Sequence, residues 1–558
     1  MTQQRPRKTG PLRKYPALMF LIAAAGLAVL LPTALNVPQS GPSTLAEFAP
    51  VPGAGKGSSD VSELGQAGSG GLGFGSGTRS GDPGSPPSVG KPDQTKPRLK
   101  RCVGNPPRQT EDPLSPPCVA FFNGDNGGVT GKGVTKDEVS VVFFFQETGV
   151  SSHTEPWEDC TSAPAPDDGA KDLACKAYTR YFNDRYQTYG RTVRIWAYYA
   201  VTQGLNEGHY IEFDQRRKPF AFLTNFPGLV GNPQMASRGT ITPFFAGWYR
   251  DAYRNYPSYY FGFRPDHDDA FSMAASYLCS KLAGRRPQFA GPGVDQSKPR
   301  TFGIFGQRGD PKAKLIQDQI KAHCGLEQNM PVESTSTGAG DLPMARMKAA
   351  QVSTIIAIAP AACSSAARDA TVQGYFPEWF IPGYDTGNGH DTNAVAHTCD
   401  PSQWQHTFGL TFDYRRDAIR DQPWYRAFRE GCPGCTEPAG GERLSDFYET
   451  LTMLFYGIQS AGPRLTPANL DKGLHAIPAN GSPNPYKPAA YFAPGNYSFL
   501  KDAMEIWWDP QGQAPDDPAV GCYRLPNGGK RFRDGEWESG DQSIQRSDGS
   551  PCQGTAVL

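Results

Sequence analysis

Several runs place reactive side chains close enough together to suggest chemistry. Asp266, His267, Asp268 and Asp269 are consecutive and could ligate a metal, but an N-cap followed by an acidic first helical turn accounts for them better. His390, Asp391 and His397 lack zinc-ligand spacing, so no metal site is expected. Cys432 and Cys435 frame a Cys-Pro-Gly-Cys run that could be a redox pair. No strand-to-helix context surrounds it, so a structural bridge, or two bridges to other cysteines, is the expectation. Gly68, Gly70 and Gly73 match the spacing of a dinucleotide fingerprint, but no strand precedes them and no helix follows. The sequence has no G-x-S-x-G, H-E-x-x-H or Walker-type loop, so neither enzymatic activity nor a cofactor is expected, with an unrecognised hydrolase as the residual alternative.

The elements that must position any site begin near residue 139. The run 139–145 (VSVVFFF) is apolar almost throughout, as a parallel strand buried on both faces should be. A helix follows over 171–189, with Ala174, Tyr178, Tyr181 and Phe182 at helical spacing and Gly190 as its stop, and then a strand over 192–199. The alternation resumes with strands at 219–223, 301–305, 353–359 and from Trp379. Helices are expected from the Asp266 region through Leu282, over 310–323, 341–350 and 364–373, and on the face marked by Leu444, Phe447, Leu451, Leu454, Phe455 and Ile458. Two such series predict an α/β protein of two lobes, each a parallel sheet with helices on both faces. Beyond about residue 511 the rhythm fades, and 511–558 reads as a tail tethered by Cys522 and Cys552.

The remainder of the chain speaks to location. Residues 1–14 carry Arg5, Arg7, Lys8, Arg13 and Lys14, and an apolar stretch within 15–37 follows, split by Pro32; this is an export signal, either cleaved or kept as an anchor. Residues 38–101 are Gly, Ser and Pro with few large apolar side chains and read as a disordered stalk. All twelve cysteines lie beyond the apolar stretch: Cys102, Cys118, Cys160, Cys175, Cys279, Cys324, Cys363, Cys399, Cys432, Cys435, Cys522 and Cys552. An even number in an exported chain argues for disulfides, and each of the twelve is a candidate. Pairing neighbours in order closes the shortest loops, although sequence alone leaves the connectivity open. Lys plus Arg balances Asp plus Glu at 55 each, and no basic stripe marks the folded part, so nucleic acid is not an expected partner.

Gly133 opens a run (GVTKDEV) that leads into the first strand and on to Glu147, Thr148 and Gly149. This opening resembles that of the type I periplasmic binding proteins, the branched-chain amino-acid receptors of ABC importers. Later segments resemble the family in the same order: 174–190, the run 259–266 (YYFGFRPD), 341–360, the loop 383–387 (GYDTG), the run 408–412 (FGLTF) and the helix through Ile458. The resemblance covers about residues 133–510 and implies a Venus-flytrap of two Rossmann-like lobes. After a Cys-containing lead-in over 102–136, lobe 1 would comprise 137–260 plus 418–478, and lobe 2 would comprise 261–417 plus 479–510. Two departures stand out. Where the family has a full helix, 201–218 is largely polar, and the turn that receives an amino-acid carboxylate reads here as 225–240, with Ser237 and Thr240.

In such folds the ligand lies at the carboxyl ends of the strands, where backbone N–H groups and helix N-termini favour anions. Glu147, Thr148, Ser151 and Ser152 after the first strand, and Ser237 and Thr240, are placed for that role, with helix capping as the alternative for the hydroxyls. Gln307 after the strand at 301–305 is a further candidate. Asp385 stands at the position that resembles the family's amine-binding residue, with Tyr384 covering it, or else it makes an Asx turn beside Gly387. The expected function is capture of a small polar ligand, such as an amino acid or amide, outside the cytoplasmic membrane, with an ABC permease as possible partner. A surface sensor or structural protein with the same fold is the alternative.

Overall fold

The computed structural model describes residues 102–147, 155–165, 168–201, 205–224, 233–245, 247, 249–306, 309, 311–326, 330–334, 342–359, 362–383, 398–435, 444–538 and 552–554. All belong to the compact unit Ser80–Leu558. The expected export segment and the stalk lie outside the described residues. Among those described, no helix is long and apolar enough to cross a membrane.

The lead-in is a small hairpin of Cys102–Val103 (β1) and Arg108–Gln109 (β2), closed by a Cys102–Cys118 disulfide. The first sheet is built on Glu138–Gln146 (β3), Trp157–Asp159 (β4), Thr192–Ala200 (β5) and Ala221–Thr224 (β6), in the order β4-β5-β3-β6. β3 pairs with β5 in parallel register from Glu138 opposite Thr192 to Gln146 opposite Ala200. A parallel bridge from Ala221 to Ile241 extends this sheet towards Thr242–Phe244 (β7), which pairs in parallel with Tyr260–Gly262 (β8). Apart from the antiparallel edge strand β4, the order of appearance across lobe 1 is second, first, third, fourth, fifth.

β3 is buried along both faces because helices cover both. Val139, Val141, Phe143 and Phe145 pack with the helices Ala170–Arg185, Pro423–Gly431 and Leu444–Ala461. Val142 and Phe144 face Tyr210 and Phe213 of the helix Glu207–Arg216. Backbone approach between two helices of the first group is direct: a Cβ on Gly431 would stand 1.9 Å from the carbonyl oxygen of Ala177. Every residue of Leu444–Ala461 is buried, a burial usual for helices that are covered all round. The lead-in supplies part of that cover. Asp112 accepts hydrogen bonds from Tyr186 and from Tyr456 of this helix, and Gln459 donates to the Pro117 carbonyl at 3.1 Å.

Lobe 2 repeats the plan. Phe302–Gly306 (β9), Val332–Ser334 (β10), Thr354–Ala357 (β11), Glu378–Ile381 (β12) and Thr407–Thr411 (β13) form a parallel sheet in the order β10-β9-β11-β12-β13. Phe302, Ile304, Ile356, Phe380 and Phe408 pack on the side of the helices His267–Tyr277 and Pro311–Cys324. Phe305, Ile355, Ala357, Trp379 and Ile381 pack on the side of Pro343–Ala349 and Ser365–Val372. At the amino edge Arg300 makes a bidentate pair with the buried Glu378, at 2.7 and 2.8 Å, and Thr354 adds a bond of 2.6 Å.

Three expectations are corrected. The region after 511 is not a tail outside the fold. Ala503–Gln513 (β14) pairs antiparallel with β13, while Val520–Arg524 (β15) and Arg531–Phe532 (β16) pair with β14, so the lobe 2 sheet continues well past residue 511. The polar stretch 201–218 does contain a helix, Glu207–Arg216, whose Asn206 cap accepts from the His209 N–H and whose buried face is only Tyr210 and Phe213. The first long helix also stops early, at Arg185, because Tyr186 is already extended, with φ −107° and ψ 148°.

The cysteines join neighbours in sequence order throughout. Besides Cys102–Cys118, the bridges are Cys160–Cys175, Cys279–Cys324, Cys363–Cys399, Cys432–Cys435 and Cys522–Cys552, and no cysteine is left free. Each ties one element to a close neighbour. Cys160, just past β4, is held to Cys175 inside Ala170–Arg185, which fixes the edge strand of lobe 1 to its first helix. Cys279 follows directly on His267–Tyr277 and is bonded to Cys324 at the end of Pro311–Cys324, so the bridge clamps the two helices of one face of lobe 2. Cys363, before Ser365–Val372, is bonded to Cys399, before the short helix Pro401–Trp404, on the other face.

Candidate functional site

The chain passes between the lobes three times, and the strand directions fix where. β8 runs into the first crossing at 263–266, and β13 into the second at 412–418. Ser498, bridged in parallel to Gly262, leads through the third into β14, which starts beside Thr411, the last residue of β13. Each crossing therefore joins carboxyl edges, so these edges of the two sheets face one another across the crossings. Doubly wound sheets bind ligands at such edges.

Charged side chains from separate elements meet at this floor. Arg264 on the first crossing stands 3.1 Å from Asp413 on the second and 3.3 Å from Glu449 of the long helix, and its guanidinium lies over Phe245. Asp413 also pairs with Arg416 at 2.9 Å. Glu449 lies near the floor because its helix starts there: Phe447 packs on Phe143 and Phe145 at the carboxyl end of β3, while Phe455 packs on Phe182 near the far end of its helix. Burial works against the Arg264 charge, but Asp413 and Glu449 outweigh it and hold its pKa above the usual guanidinium value. The Glu449 carboxyl is pushed up to about 8, first by burial; Arg264 pulls it down, and Asp413 and Asp446 add to the rise. It is 4% exposed, and its Oε2 has no hydrogen-bond partner among the described residues. A carboxyl so placed takes its proton near neutral pH.

A second group binds the first crossing to the third. Asp266 caps the helix His267–Tyr277 by accepting from the Asp269 N–H at 2.7 Å, and Arg250 pairs with both aspartates. Asp269 in turn reaches Lys501 at 3.3 Å and Asn496 at 2.6 Å. The acidic run is thus a cap and an ion-pair network, as its sequence suggests. His267 is buried against Tyr249, and burial, then Lys312, push its pKa well below the ordinary value, so its ring is neutral. Among the described residues no group of His, Cys, Asp and Glu has metal-holding geometry.

No family model and no curated protein matches the sequence. Solved structures do. A periplasmic binding protein from Burkholderia mallei aligns at TM-score 0.46 and 12% identity, over 73% of this chain and 98% of its own. A fatty acid ABC transporter substrate-binding protein from Thermomonospora curvata aligns at 0.44 and 13%, over 78% and 99%. A branched-chain amino acid transporter substrate-binding protein from Streptococcus pneumoniae, in complex with isoleucine, aligns at 0.43 and 10%, over 70% and 99%. The fold itself stands on the strand order and the three crossings.

The candidates named from sequence fall into three groups. Thr148, Ser151, Ser152, Gln307, Tyr384 and Asp385 lie outside the described residues, as do His390, Asp391 and His397. In the chain they follow the carboxyl ends of β3, β9 and β12. Glu147 is described and sits at the end of β3, buried, with its N–H donating to the Ala200 carbonyl at 3.0 Å. Beside it Tyr199 is pushed above the usual phenol range by burial and then by Asp172, a residue in the first turn of Ala170–Arg185. Ser237 and Thr240 are placed away from this edge. Ser237 is exposed in the last turn of the short helix Pro233–Ser237 and donates to the Gln234 carbonyl. Thr240 is fully buried before β7 and donates to the Pro219 carbonyl at 3.0 Å while accepting from Lys132 at 2.7 Å. Because β6 and β7 are parallel, Pro219 and Thr240 both stand at the amino edge, and the carboxylate-receiving role falls away for Thr240.

Arg264, Asp413 and Glu449 were not singled out from the sequence. The available signal was a pair of acids, Asp446 and Glu449, three residues apart on a helix otherwise apolar enough to be buried. Two constellations with a chemical look resolve otherwise. Cys432 and Cys435 bond to each other just past the C-terminus of Pro423–Gly431, the helix end that does not favour a thiolate. Ser272 lies 2.9 Å from His323 Nε2, but Asp534 accepts directly from the serine and stands 3.9 Å from that same nitrogen. In a nucleophilic triad the carboxylate would orient the imidazole through its other nitrogen.

Proposed function

We propose that this protein is an extracytoplasmic solute-binding protein that captures a small polar ligand between its two lobes and hands it to a membrane partner such as an ABC permease. The observation that supports this most directly is the pair of second-first-third-fourth-fifth sheets whose carboxyl edges face each other across three crossings. Such edges collect strand-end loops and helix N-termini, which together supply hydrogen-bond donors without a catalytic group. Closure over a ligand is a shift between two arrangements of the lobes, driven by the ligand's higher affinity for the closed one. Six disulfides suit an oxidising compartment outside the cytoplasm. Asp385, Tyr384, Thr148, Ser151, Ser152, Gln307 and Glu147 belong in this reading to the ligand-facing edge, with Asp385 the counter-charge to a ligand ammonium.

Screening amino acids, amides and short carboxylates against the purified protein by thermal shift tests this. A ligand at a hundred times its dissociation constant stabilises by about 2.7 kcal/mol. For a zwitterionic ligand, Asp385→Ala removes a charge-assisted hydrogen bond worth about 1.5–3 kcal/mol, which lowers affinity by roughly tenfold or more. No shift across the library, with no compaction in solution scattering, would overturn the proposal in favour of a sensor or structural role.

A further inference from the structure

The strands beyond residue 511 do more than widen the lobe 2 sheet. Arg531, on β16 and wholly buried, donates through Nη1 to the Asp413 carbonyl at 2.8 Å and through Nη2 to the Phe412 carbonyl at 3.0 Å, both on the second crossing. Through Nε it reaches Asp502 at 2.8 Å, on the third crossing. Asp516 accepts from the Ile419 N–H at 2.7 Å, just past the second crossing. The last described residues complete the grip. Gln553 Oε1 accepts from the Arg416 N–H at 2.7 Å, and the Gly554 N–H donates to the Arg416 carbonyl at 2.8 Å. Glycine is needed there, since a Cβ on Gly554 would stand 2.0 Å from the Asp417 carbonyl oxygen.

Two crossings are thus tied through their backbone groups by a segment that belongs to neither. Lobe opening in a two-lobed fold needs φ and ψ of a few crossing residues to turn, and a residue bonded at both its N–H and its carbonyl, as Arg416 is, cannot turn without losing at least one of those bonds. Residues 552–554 are held in place by the Cys522–Cys552 disulfide and by the Gln553 N–H, which donates to the Tyr523 carbonyl at 2.7 Å. Gln553 and Gly554 bring no apolar side chain to this contact, and the covalent link at Cys552 keeps them at high effective concentration beside β15.

We propose that the C-terminal residues 514–538 and 552–554 brace the interlobe hinge, with Cys522–Cys552 as their latch, and that they set how far and how often the lobes open. The brace acts on the hinge rather than on ligand contacts, so it holds whether or not the solute-binding reading does.

Hydrogen exchange of the full chain, read by peptide mass spectrometry, tests it in two variants. Cys522→Ser with Cys552→Ser removes the latch, and Gln553→Leu, with all disulfides kept, removes one acceptor. Both variants are expected to speed exchange at least tenfold in peptides spanning 413–419 and to leave β3 and β9 at wild-type protection. The distance distribution between labels at the exposed positions Ile211 in lobe 1 and Val372 in lobe 2 is expected to broaden in the serine variant. Unchanged exchange over 413–419 in both variants overturns the proposal. Equal acceleration in β3 and β9 overturns it too, because the bridge then stabilises the whole fold and not the hinge. An unbroadened interlobe distance does the same.

Discussion

Replacing Glu449 by glutamine should change how stability depends on pH, and the structure sets the sign. The carboxyl is raised from an ordinary value of 4.5 to about 8 in the folded protein, mainly by burial. Between those limits the folded state keeps a proton that the unfolded chain releases, so stability falls as pH rises. The contribution is fully present below about pH 4.5 and lost once pH passes about 8. A tenfold difference in proton affinity between the two states corresponds to about 1.4 kcal/mol, so roughly 3 kcal/mol should disappear between pH 5.5 and 8. Glutamine keeps the shape and the neutral state but cannot ionise, so Glu449→Gln removes this slope. Guanidinium unfolding of both proteins at pH 5.5, 7 and 8.5 gives the stability difference at each pH. The variant should gain on the wild type by about that amount across the range. A difference that stays constant with pH would refute the reasoning, because Glu449 would then be ionised throughout as an ordinary partner of Arg264.

Two further outcomes are expected. Glu378→Ala leaves the Arg300 guanidinium buried without its bidentate partner, and should cost about 3–5 kcal/mol in denaturant unfolding. Alkylation of the denatured, unreduced protein should add no label to any of the twelve cysteines, which label only after reduction; free thiols at Cys522 and Cys552 would contradict the paired state on which the hinge brace depends.

The strands at 138–146 and 354–357 were legible because burial on both faces leaves an almost unbroken apolar run, and the strand at 192–200 because it is rich in β-branched and aromatic residues. The disulfide order was legible as the shortest set of loops. What was missed shares a physical cause. The helix Glu207–Arg216 buries two side chains, so its periodicity is too thin to see. β15 and β16 are short strands of an antiparallel extension, and β15 carries Gly521, which together give no apolar run. Thr240 was misplaced because a motif position counts residues along the chain, whereas the end of the sheet a residue occupies depends on strand direction.

The charged cluster at the crossings was the least legible part, and the reason lies in what holds the crossings together. Arg264, Asp413 and Glu449 come from three distant stretches of sequence that only the crossings bring together. The lobes are held by packing of Phe, Tyr, Val and Ile, which is non-directional and gives each lobe a rigid core. The crossings are held instead by directional pairs: Arg250 with Asp266 and Asp269, Arg264 with Asp413, and Arg531 with Asp502 and two backbone carbonyls. Hydrogen bonds of this kind fix a particular backbone geometry and break over a short distance, so they favour discrete arrangements of the lobes over a continuous range. Rigid lobes joined by polar, breakable crossings are the arrangement that the proposed closure over a ligand would need.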